Sequence, residues 1–176
     1  KMIAYLKAFG EKHNLETKVD EAGNVLIKKP ATPGKENLKT VILQSHVDMV
    51  CEKNNDTDHD FLTDPIETEI DGEWMKAKGT TLGADNGIGV ATELAILADD
   101  SIEHGPIECL FTVDEETGLT GAFALKEGFM SGEILLNLDS EDEGELYIGC
   151  AGGIDTVAEF QYENEMTPIS HLCFRI

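Results

Sequence analysis

Six acidic or imidazole side chains stand where apolar sequence gives way to polar sequence. His46 and Asp48 are two residues apart, Glu115 and Glu116 are adjacent, and Asp85 and Asp139 occur singly. A spacing of two puts His46 and Asp48 on one side of an extended segment, so that Asp48 can hold the far ring nitrogen of the histidine and fix its tautomer. Adjacent carboxylates diverge in an extended segment. That suits Glu115 and Glu116 to a division of labour in which one binds an ion and the other handles a proton. A histidine with several carboxylates and no thiolate matches Zn2+, Mn2+ or Co2+ better than a cysteine-rich structural zinc site. Such acids repel one another when ionised and metal-free; a pair of divalent cations bridged by Asp85 would offset this. The competing reading is plain: surface acids at the starts of loops.

The elements that would gather these residues can be read from periodicity. Thr40 to Gln44 reads as a buried strand ending at Ser45-His46, Ile107 to Val113 as a second ending at Asp114-Glu115-Glu116, and Ile134 to Leu138 as a third ending at Asp139. The C-terminal ends of strands are where open α/β sheets place their chemistry. Asp85 sits in the glycine-rich turn 79–87, just ahead of an apolar helix over 88–97. A first helix starts at Met2 and ends near Asn14, a short strand spans Leu15 to Val19, and a strand follows the Gly23-Asn24 turn at Val25-Leu26-Ile27. Residues 30–39 and 52–65 read as polar loops. Asp71-Gly72 marks a hairpin within Ile66 to Lys78. A helix is expected over 120–128, closed by Gly128, and an alternating strand between Ile148 and Phe160. The order predicts an α/β fold: a three-layer α/β/α sandwich around a mixed sheet.

Composition narrows the function. The 35 acidic and 13 basic side chains give a net charge of -22. Residues 1–40 carry 8 lysines and 5 acids, a net of +3, which leaves -25 for the remainder. Nucleic acid and anionic membrane surfaces are poor partners for such a field, and no apolar run is long enough to cross a bilayer. The four cysteines are widely spaced with no C-x-x-C, which favours a reducing cytoplasmic setting while leaving disulfides open. Gly83-Ala84-Asp85-Asn86-Gly87-Ile88-Gly89 has no lysine in Walker-A register, so a nucleotide loop is rejected. His13, His59 and His104 read as solvent-exposed, His171 as a weak ligand candidate. No serine has the setting of a nucleophile elbow. Trp74, Met75 and Phe129 read as hairpin or core packing.

Together, SHVDMVCE (45–52), GTTLGADNGIGVA (79–91), FTVDEETGLTGA (111–122) and LLNLDSEDEGEL (135–146) resemble the M20 metallopeptidase family, specifically its aminoacyl-histidine (Xaa-His) dipeptidase, or peptidase D, branch. The GTTLGADNGIG wording is more similar to that branch than to the tripeptide-cleaving group. The resemblance implies a zinc-peptidase (phosphorylase/hydrolase-like) fold. It also implies metal ligation by His46, Asp85, Glu116 and Asp139, with Asp85 bridging two zinc ions, Asp48 orienting His46, and Glu115 as general base. The implied reaction is hydrolysis of short peptides, chiefly Xaa-His dipeptides. Residues 1–176 then correspond to part of a catalytic domain. A further ligating histidine and an inserted lid and dimerisation domain are expected to lie outside them. This stretch alone is expected to be inactive, to bind metal weakly, and to self-associate. Two rivals remain: an M20 amidohydrolase or deacetylase of N-acyl amino acids, and a non-catalytic acidic module that binds cations.

Overall fold

The computed structural model describes residues 1–140, 142, 144–150, 152–154 and 156–163. Its elements are α1 (Met2–Lys12), β1 (Glu16–Val19), β2 (Val25–Lys29), β3 (Val41–His46), β4 (Thr68–Asp71), β5 (Trp74–Ala77), α2 (Ala84–Ala98), β6 (Ile107–Thr112), α3 (Thr120–Phe123) and β7 (Ile134–Asn137). Residues 1–141 form one compact unit, and the chain from 142 onward clusters as another.

The main sheet has the order β1-β2-β6-β3-β7. β1, β2 and β6 run antiparallel in succession, whereas β3 is parallel to both β6 and β7. This mixed pairing brings the site together. Parallel strands in register, with His46 opposite Thr112 and Val41 opposite both Ile107 and Ile134, put the C-terminal ends of β3, β6 and β7 on one edge. β2, running the other way, contributes its starting turn there, with Val25 opposite Phe111.

Alternation along the strands sends side chains to two cores. On one face Val25, Ile27, Leu43, Cys109 and Phe111 pack with Leu6 of α1 and with Val90 and Leu97 of α2. Ile3, Leu6 and Phe9 recur at helical spacing, which gives α1 the apolar stripe it needs. On the other face Leu26, Ile42 and Leu110 are covered by Leu125, Phe129 and Met130, from the segment after α3. Each large side chain so buried stabilises the fold by about 1.5–3 kcal/mol.

The sheet, the helix preceding it and the hairpin follow the sequence-based expectation, with three corrections. The expected helix over 120–128 ends at Phe123, because beyond it the chain must leave the helical path to lay Leu125 and Phe129 onto the sheet. The run from Ile148 to Phe160 forms no strand among its described residues, where no partner strand pairs with its backbone. Trp74 and Met75 are exposed on the β4–β5 hairpin rather than packed; Phe129 does pack. In the second unit, the Tyr147 hydroxyl lies within hydrogen-bond reach of Asp142 and Glu145. Cys51 and Cys109 carry free thiols, and His171 and Cys173 lie outside the described residues. No helix among the described residues is long and apolar enough to cross a membrane.

Candidate metal centre

His46, the last residue of β3, is the buried hub of the site, its side chain only 1% exposed. Its Nδ1 lies 3.0 Å from the carbonyl oxygen of Asp48. A carbonyl can only accept, so Nδ1 carries the hydrogen and donates it, and Nε2 is left as the outward-facing nitrogen. That nitrogen is 3.1 Å from Asp85 Oδ1 and 3.7 Å from Asp139 Oδ1.

Asp85 comes from the start of α2, where Asp85 and Asn86 depart from helical geometry before the regular helix begins. Asp139 follows β7, two residues past Asn137, whose side-chain oxygen accepts its backbone amide at 3.0 Å. Asn86, itself buried, donates from Nδ2 to Asp139 Oδ1 at 2.7 Å and so ties the α2 turn to the β7 loop.

The loop after β6 brings the adjacent glutamates. Asp114 takes a left-handed backbone and accepts hydrogen bonds from Thr117 and Thr120, folding 114–120 into a compact turn. Buried Asn24 anchors that turn, accepting from the Val113 amide at 3.1 Å and donating to the Gly121 carbonyl at 2.8 Å. A Cβ at Gly121 would run into the Val113 carbonyl, so this approach requires glycine.

The structure refines the expectation for Asp48. Its backbone carbonyl, closer than its carboxylate at 3.4 Å, holds His46. The carboxylate instead accepts the amides of Glu115 and Glu116, each at 3.1 Å. Asp48 therefore fastens the glutamate loop to the histidine strand.

Two overlapping groups bring potential ligand atoms within 4.8 Å of one another: His46 with Asp85 and Asp139, and His46 with Glu115 and Glu116. Both use the same imidazole, so the described residues form one candidate metal-binding cluster without a separate second ligand set. The donor set fits a borderline divalent cation, with one imidazole nitrogen and converging carboxylates.

The electrostatics fit as well. Burial, then the nearby Asp85 carboxylate, raises the Asp139 pKa even against the opposing pull of His46. Burial also raises the Glu115 pKa, with the charges of Asp139, Glu116 and Asp48 adding to it. Burial opposes a charge on His46, but Asp85, Asp139, Asp48 and Glu115 together outweigh it and raise its pKa. These groups share a demand for positive charge that a cation would meet.

All six residues singled out in the sequence sit at this edge. Asn24 and Asn86 read in the sequence only as turn residues beside glycines; their burial reveals the role. His13, His59 and His104 lie outside the cluster, but they are half-buried rather than solvent-exposed. His13 stacks on Phe9 and His59 sits edge-on to Phe61, because an imidazole body packs well on an aromatic ring. His104 bonds the Gly105 carbonyl.

Relatives share this arrangement of sequence. The chain is 51% identical over 175 residues to the cytosol non-specific dipeptidase of Escherichia coli (strain K12), a match covering 99% of this chain and 36% of that protein. The crystal structure of aminoacylhistidine dipeptidase from Vibrio alginolyticus superposes with a TM-score of 0.79 at 59% identity, covering 81% of this chain and 29% of that one. That of aminopeptidase PepT from Bacillus cereus ATCC 10987 gives 0.67 at 27% identity, covering 81% and 38%. The chain thus spans roughly a third of the length of these relatives. Residues 42–165, which include every residue of the cluster, match the profile of peptidase family M20/M25/M40, and the chain belongs to that family.

Proposed function

We propose that the protein hydrolyses short peptides, Xaa-His dipeptides foremost, at a dinuclear zinc centre to which this chain contributes His46, Asp85, Glu116 and Asp139. The observation that carries the reading is the convergence of Asp85 and Asp139 on the outward nitrogen of a histidine whose other nitrogen is fixed by Asp48. The dipeptidase names of two relatives, at 51% and 59% identity, support the substrate class, and the lower 27% identity to the PepT aminopeptidase favours dipeptides over longer peptides. Mn2+ or Co2+ suits the same donors.

Bound divalent metal supplies Lewis-acid polarisation of the scissile carbonyl and a water of lowered pKa. The residues do the rest. His46 presents Nε2 because Nδ1 is engaged, and Asp85 and Asp139 would hold the ion beside it. Asp48 fixes the backbone beneath Glu115 and Glu116. Glu115, half-buried with a raised pKa, takes a proton from the attacking water and returns it to the departing amine.

Turnover belongs to the whole protein. Among its described residues the 176-residue chain holds one cluster, and alone it turns over little or no substrate. The exposed Ile134, Leu135 and Leu136 of edge strand β7 are where it would self-associate. A cytoplasmic location is consistent with the name of the Escherichia coli relative.

The test is a substrate panel on the full-length protein reconstituted with zinc: Xaa-His dipeptides, other dipeptides, tripeptides and N-acetyl amino acids. Preferential cleavage of Xaa-His dipeptides is expected. Cleavage of N-acyl amino acids alone would establish the amidohydrolase reading, and binding of zinc with no turnover of any substrate would leave a cation-binding module.

A further inference from the structure

Glu93 lies midway along α2, fully buried, and belongs to neither metal-facing group. Neither of its carboxyl oxygens makes a hydrogen bond of normal geometry among the described residues, nor does the Ser45 hydroxyl. The polar groups facing it are that hydroxyl, on β3, and the Cys109 thiol, on β6. From β2, Lys29 acts on Cys109, but its ammonium is engaged by the carbonyls of Ile96 and Asp99 at 3.0 and 2.6 Å. No cation among the described residues therefore compensates a charge on Glu93. An ionised carboxylate in such a place costs several kcal/mol more than the neutral acid, and burial pushes Glu93 up to about 8.

Its position gives that proton a consequence. Gly89, one turn earlier on α2, faces the strand so closely that a Cβ there would lie 3.0 Å from the Ser45 Cβ. One turn before Gly89 come Asp85 and Asn86, which reach His46 and Asp139. The helix that holds Asp85 of the cluster thus rests on the strand that holds His46, and Glu93 lies in the seam.

We propose that Glu93 is a positioning residue whose neutral acid keeps α2 seated on β3 and β6, holding Asp85 and Asn86 against His46 and Asp139, and whose deprotonation loosens that seat and opens the cluster. The consequence for metal rests on the reading of the cluster as a zinc site; the seating itself does not.

The experiment compares the full-length protein with Glu93→Gln, a neutral mimic, and with Glu93→Met, an apolar residue of similar length in case the amide disturbs folding. Three readouts are taken from pH 7 to 9: the carbonyl stretch of a protonated carboxyl, hydrogen exchange at the His46 and Val47 amides in metal-free protein, and zinc affinity by chelator competition. At pH 7 the wild type is expected to show the protonated-carboxyl band, which both variants lose, and to match their zinc affinity within about 2-fold. At pH 9 only about one wild-type molecule in eleven keeps the neutral acid. Its zinc affinity is then expected to be ~10-fold weaker than that of the variants, and its amides to exchange correspondingly faster. Indistinguishable exchange at pH 9, or no protonated-carboxyl band at pH 7, overturns the proposal. An exchange difference with zinc bound by none of the proteins supports the seating and overturns the metal reading instead.

Discussion

Strand β6 carries one glutamate near its start and leads to another beyond its end, and the two live under opposite conditions. At the start, Glu108 is 2% exposed and saturated with donors: Lys28 at 2.7 Å, the Ser131 hydroxyl at 2.6 Å, and the amides of Ser131 and Gly132. Burial would raise its pKa, but these partners prevail and hold it near 2. Past the other end, burial and neighbouring acids raise the pKa of Glu115. The same side chain is a staple where the fold supplies donors and the proposed base where it supplies more acid. Donor supply, rather than burial, separates structure from function here.

The comparison is sharpened most by Glu115→Gln in the full-length protein, which keeps the shape and removes the carboxylate proposed as the base. A kcat loss of 10²–10⁴-fold is expected, the range for a general base, with thermal stability little changed. Steady-state kinetics beside a melting curve checks it; a loss under tenfold would move the proton to another group.

Glu108→Ala is the mirror experiment. It strips the acceptor from Ser131, Gly132 and Lys28, and about 3 kcal/mol of stability should go with it, read by denaturant unfolding. Zinc affinity should stay within about 2-fold, because the two ends share a strand but no contact. The depressed pKa sets a pH window too. This stabilisation is complete above the unfolded value of 4.5 and is lost as pH falls towards 2, so the wild type and variant curves should converge in acid.

How far the sequence discloses this contrast depends on what each end is made of. The site end is written in runs: apolar strands closed by His46, Glu115 and Asp139 announce both the element and its cargo. Glu108 lies inside the apolar run and breaks its pattern, and only pairing with β2, which brings Lys28 opposite it, explains the interruption. Glu93 is equally silent, since a glutamate in a helix reads as a solvated residue until its neighbours are placed. The parallel register of β3 with β6 and β7, which makes the site, follows from long-range pairing that periodicity cannot supply. The early end of the helix at Phe123 has the same origin: the sheet face claims Leu125 and Phe129 against local propensity.

Asn86→Ala tests whether donors count at the acidic end as well. Asn86 donates a side-chain hydrogen bond from α2 to Asp139. Its loss frees the β7 loop without removing a ligand. A zinc affinity about 10-fold weaker is expected, as for other groups that orient metal ligands, measured by chelator competition.

Asp139→Asn should give the smallest change in folding stability, and its sign is the informative part. Asparagine keeps an oxygen to accept from Asn86 and removes a charge that burial and Asp85 make unfavourable. Because the folded pKa is raised, the folded state holds its proton more tightly than the unfolded one, so wild-type stability falls as pH rises from the unfolded value of 3.8 through the folded one. In metal-free protein the variant should therefore be more stable near pH 7, by about 1 kcal/mol or a few degrees in Tm, and should lose that advantage below pH 4, where wild-type Asp139 is protonated as well. Adding zinc should reverse the order, because the wild type alone keeps the carboxylate proposed to hold the ion. A variant less stable at every pH, metal-free, would mean that Asp139 resembles Glu108 after all, a carboxylate the fold satisfies rather than one it leaves for a cation.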